Sequence, residues 1–197
     1  MRSLPSLLVG VVVLVFPSLT FGEVIKLSDL SSNGTDPALL DATLDFSVTG
    51  SALTLTVTND TAAPNAFNIN QLFFNAGSGA TGLLVDSFPA GWSLMPNQSA
   101  DDFGTFDFGL IDGVDQQPST IAPGETVVFS FTILGSAVES DFTTKFSTLP
   151  PGNNPAIVAG KFVSGTGDDS AFGATIPEPA SLGLLLAGAL GAMRRRR

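Results

Sequence analysis

The sequence predicts an all-β protein, an antiparallel β-sandwich, followed by a single short C-terminal transmembrane helix. Three observations carry this. Apolar and polar residues alternate with period two in several short stretches between Glu23 and Val163. Gly, Pro, Asn and Asp separate those stretches, and outside the two ends no helical period is sustained. An uncharged run, Ala180–Met193, stands just before four terminal arginines.

In chain order, residues 1–22 read as a secretory signal peptide. Arg2 supplies the positive start, and Leu7–Phe16 is an apolar run of 10 residues. Thr20 and Gly22 then sit at the small-residue positions for cleavage between Gly22 and Glu23. Residues 23–163 form the sandwich domain. "ATLDFSVT" places Leu44, Phe46 and Val48 on one face, and "ALTLTVT" does the same with Leu53, Leu55 and Val57. Gly50-Ser51 between them makes a hairpin turn. "APGE" is a second turn, with Pro123 presetting φ and Gly124 free to take a positive one. It introduces "TVVFSFTI", whose inward face is Val127, Phe129, Phe131 and Ile133. Weaker strands are expected at Phe67–Phe74, Gly82–Phe88, Thr105–Ile111 and Ala156–Val163. Residues 164–175, rich in Gly, Ser and Asp, read as a flexible tether.

The last segment, 176–197, is a membrane element. Pro177 and Pro179 keep the chain around Glu178 extended. The helix expected over residues 180–193 would span about 21 Å at ~1.5 Å per residue. That is short for a hydrocarbon core of ~30 Å, but arginine side chains snorkel and the bilayer thins locally. Arg194, Arg195, Arg196 and Arg197 would stay cytoplasmic. Gly183, Ala187 and Gly191 form a small-residue stripe along this helix, a pattern that short Leu/Gly/Ala runs also produce by chance.

Pro-Glu-Pro, a short apolar helix and an arginine cluster, paired with a signal peptide, resemble the PEP-CTERM sorting signal. Ile176 stands where a valine is common. The resemblance implies export, transient retention in the inner membrane, and cutting near Pro177, Glu178 and Pro179 by an exosortase. Release or attachment at the cell surface would follow, in an exopolysaccharide or biofilm setting. "IAPGETVVFSFTI" and "FGTFDFGL" are also similar to segments of PEP-CTERM proteins with Ig-like sandwich domains, which makes the expected sandwich Ig-like.

Composition bounds what such a domain can do. Between Glu23 and Ile176 there are three lysines against 17 carboxylates, a surface that repels phosphate backbones and excludes nucleic acid. The chain has no Cys and no His. Disulfides, Cys/His zinc sites and nucleophile–histidine catalysis are therefore excluded. No cofactor and no enzymatic activity are expected. Asp112, Asp115, Asp168 and Asp169 lie in Gly-containing loops of the kind calcium uses, but their spacing fits no EF-hand and they read as solvated acids. Trp92, the single Trp, is expected in the core rather than as a sugar-stacking platform. The leading reading is a structural or adhesive surface or matrix protein. The alternatives are a carbohydrate- or calcium-dependent binding module and a small hydrolase.

Overall fold

Alternation along residues 42–59 produces the hairpin that organises the domain. In the computed structural model, β3 (Ala42–Thr49) and β4 (Ala52–Asn59) pair antiparallel in unbroken register around Gly50-Ser51. Gly50 takes φ 62° there, as a two-residue hairpin turn requires. β9 (Thr126–Gly135) pairs with the other edge of β4, so Leu55 lies opposite both Phe46 and Phe129. The preceding turn has Gly124 at φ 79°.

The structure describes residues 23–28, 30–32, 35–36, 39–62, 67–113, 119–148, 154–164 and 170–175. The remaining strands are β1 (Glu23–Lys26), β2 (Leu30–Ser31), β5 (Phe67–Phe74), β6 (Ala80–Ser87), β7 (Trp92–Ser99), β8 (Thr105–Asp112), β10 (Val158–Ser164) and β11 (Ser170–Thr175). A one-turn helix, α1 (Ser140–Thr143), and a 3₁₀ turn at Asp101–Phe103 complete the described elements. The strands form two antiparallel sheets, ordered β1-β3-β4-β9-β6 and β2-β11-β10-β5-β8-β7.

The two sheets share one core. Leu44, Phe46, Leu53, Leu55, Val57, Phe129, Phe131 and Ile133 of the five-stranded sheet meet Ile69, Leu72, Phe74, Leu110, Val158 and Phe162 of the six-stranded one. Phe46 meets Phe74 edge-on at 5.7 Å and stacks on Phe142 of α1 at 6.2 Å. Val48 and Val127, expected inside with the others, are partly buried because each sits near the end of its strand. A second apolar cluster lies around Phe73, Phe103, Phe106, Ala159 and Ala174, with the 3₁₀ turn contributing Phe103. The six-stranded sheet thus contributes to two clusters.

The two antiparallel sheets of the expected sandwich are present, with five described strands in one and six in the other; an immunoglobulin sandwich has seven or nine in all, and that subclass is not confirmed. Two further points differ from the sequence reading. Residues 170–175 are not tether but strand β11, paired along its length with β10. The small residues that read as flexible are there for packing. A Cβ on Gly173 would stand 3.0 Å from the Phe162 ring, and one on Gly160 2.8 Å from Leu27 Cδ1. The domain therefore runs to Thr175 rather than Val163, and of the tether only residues 165–169 lie outside the described strands. β1, β2 and β7 also lie where the sequence predicts no strand; in β7 Pro96 interrupts the pattern, which an edge strand tolerates because one side of its backbone needs no partner.

Candidate functional site

The described domain begins and finishes at one end of the molecule. Glu23, the first described residue, opens β1 opposite Phe46. Its carboxylate accepts a 2.6 Å hydrogen bond from the Thr143 hydroxyl of α1. The neighbouring Phe142 packs on Phe46 and Phe74. Phe74 lies opposite Val158, and Val158 lies opposite Thr175, the last residue of β11. Among the described residues, Glu23 and Thr175 are thus linked to α1 through Thr143 and through the Phe74–Phe142 contact. Gly22, Pro177, Glu178, Pro179 and Arg194–Arg197 lie outside the described residues, as does the helix expected over 180–193. Among the described residues no helix is long and apolar enough to cross a membrane.

Asp107 and Asp112 serve the fold. Asp107 accepts hydrogen bonds from the Ala76 amide at 3.0 Å and the Lys145 ammonium at 2.6 Å. Asn75 clamps the same place, accepting from the Asp107 amide and donating to the Lys145 carbonyl. Asp112, one of the calcium candidates, is buried and accepts the Ser119 hydroxyl at 2.5 Å. Asp115, Asp168 and Asp169 lie outside the described residues. Among the described residues no group of three or more acids converges as metal ligands would.

Trp92 is in the core at 7 % exposure. Its ring meets Phe129 edge-on at 5.2 Å, and its indole N–H donates to the Ser119 carbonyl at 2.6 Å. The Ser119 hydroxyl donates in turn to the Asp112 carboxylate, so Ser119 ties the indole and the acid together. The Asn75–Asp107–Lys145 clamp and the Trp92–Ser119 contact join residues far apart in the chain, and Asp112 meets Ser119 across a loop; no spacing signal in the sequence announces any of them.

No curated protein and no solved structure matches the chain. Residues 175–197 match the PEP-CTERM protein-sorting motif. That match begins at the last residue of β11, so the folded domain and the motif adjoin. The chain therefore carries a PEP-CTERM sorting motif at its C-terminus, the mark of an exported protein that is sorted by an exosortase.

Proposed function

We propose that the two-sheet domain is a non-enzymatic structural or adhesive component of the cell surface or extracellular matrix, working among exopolysaccharide. The single observation that carries this is the sorting motif at residues 175–197, joined directly to a β domain. The signal peptide exports the chain, the short helix over residues 180–193 holds it transiently in the inner membrane, and Arg194–Arg197 remain inside. The exosortase then cuts near Pro177–Pro179 and frees or attaches the domain. A durable matrix component needs a well-packed core, an exterior that keeps it soluble, and no reactive centre. The acidic exterior, the Cys-free chain and the burial of Trp92 are compatible with those needs. Burial also removes Trp92 as a stacking platform for sugar rings.

The test uses the native cell. Fractionation should place the processed protein in the surface or matrix fraction, and deleting its gene should weaken retention of exopolysaccharide on the cells. A purified mature domain that depolymerises that polysaccharide would overturn the non-enzymatic reading. Unchanged matrix retention in the deletion strain would overturn the structural one.

A further inference from the structure

The junction between β11 and the sorting motif leaves little slack. Thr175 is still paired with Val158, and Pro177 stands two residues further on. Two extended residues reach at most about 7 Å, at roughly 3.3–3.6 Å each. A membrane-embedded enzyme that takes an extended substrate into a cleft needs free backbone on both sides of the scissile bond. On the N-terminal side that backbone is already engaged, since Gly173 and Ala174 pair with β10 on one edge and with Ser31 and Leu30 on the other.

The strand is built to let go. Beyond β11 the sheet holds only the two residues of β2. The side chains that β11 buries fully are Ala171 and Ala174, Gly173 has none, and Phe172 is half-buried. Unpairing it therefore exposes far less apolar area than unpairing β3, β4, β5 or β9, which carry the core Phe and Leu residues. Among the described residues the buried Thr175 hydroxyl has no hydrogen-bond partner, which weakens the last pair further. Local opening at low free energy is the ordinary behaviour of such an element.

We propose that Gly173–Thr175 is a releasable segment: it unzips from β10 and β2 to give the exosortase an extended backbone ahead of Pro177, and pairs again after the cut. The proposal rests on the sorting reading above and adds that domain opening gates processing. A lock tests it. The chain has no cysteine, and Ala159 and Ala174 are directly opposed in the ladder, both within the second apolar cluster. Opposed antiparallel residues have Cα atoms about 4.5–5.5 Å apart, within reach of a disulfide. The full chain with Ala159→Cys and Ala174→Cys, its disulfide verified by mass, is followed by pulse-chase in a cell with an active exosortase. Processing should slow at least severalfold relative to wild type and to each single cysteine variant, and reductant should restore it. A spacer of about eight Gly and Ser residues between Thr175 and Ile176 should also restore it, with the disulfide intact. Processing of the locked protein at the wild-type rate would overturn the proposal, as would a locked protein that the spacer fails to rescue. Replacing Pro177, Glu178 and Pro179 with alanines separates the two readings. If that variant is processed normally, the sorting reading fails. If it is blocked while the lock has no effect, only the gating fails.

Discussion

Phe46 shows how much one side chain carries. It is fully buried at the meeting point of both sheets and α1, with Phe74 and Phe142 against its ring. Phe46→Ala should cost about 3–5 kcal/mol, read as a lowered denaturation midpoint. Thr56, two positions along β4 from Thr54, is partly exposed beside Asp45 and Val128. Thr56→Ala should stay within about 0.5 kcal/mol, as surface substitutions do. Equal effects of the two would refute the assignment of strand faces. Trp92 offers a second test, because it is the single Trp and therefore reports alone. Its emission should be blue-shifted and resistant to iodide in the folded protein, and should move red on unfolding. Ready quenching in the native state would place the ring outside the core.

At the scale of elements, β11 separates a strand from a tether by measurement. Gly173→Val must push a side chain into Phe162 and the Leu27 backbone, which stand 3.0 Å and 3.3 Å from where a Cβ would be. Overpacking of this kind costs about 1–3 kcal/mol, whereas the same change in a flexible tether would cost almost nothing. Secreted domains ending at Thr175 and at Ser164 should differ likewise, the shorter one melting lower because β10 loses a neighbour on one edge. Identical melting curves would return residues 170–175 to the tether. The turns behave differently, since their glycines answer to backbone angle. Gly124 has open space around its missing Cβ but sits at φ 79°, so Gly124→Ala should destabilise through strain alone, by about 1–2 kcal/mol.

For the whole molecule, the acidic composition and the expected removal of the N-terminal segment set the predictions. Removal of residues 1–22 should leave Glu23 as the first residue, with its side chain free to hold Thr143. N-terminal sequencing of the exported protein checks this, and a mature form that keeps Leu7–Phe16 would contradict it. Calcium should bind no tighter than roughly 10⁻⁴ M, the weak end for extracellular modules, since Asp107 and Asp112 already serve Lys145, Ala76 and Ser119. Micromolar binding by calorimetry, abolished by Asp168→Ala, would show a site built from the loop acids instead.

Much of this protein is legible residue by residue, for a physical reason. Side chains on a strand alternate with period two, so Leu44 and Phe46, or Phe129 and Phe131, declare their shared face before any partner is known. Gly50 and Gly124 likewise declare turns, because few other residues adopt their backbone angles. The sorting motif is legible because its parts, Pro-Glu-Pro, an uncharged run and four arginines, are contiguous in the sequence. Other features depend on what stands opposite. A glycine that permits flexibility and one that permits close packing look the same in a sequence, and only Phe162 and Leu27 packed against Gly173 make residues 170–175 a strand rather than a tether. Pro96 conceals β7 in the same way, since its cost depends on whether the strand lies at an edge. The pairing of Asn75 with Asp107 and Lys145, and of Trp92 with Ser119, joins residues distant in the chain. Such contacts follow from strand order, and strand order arises from how two whole sheets bury their apolar faces together.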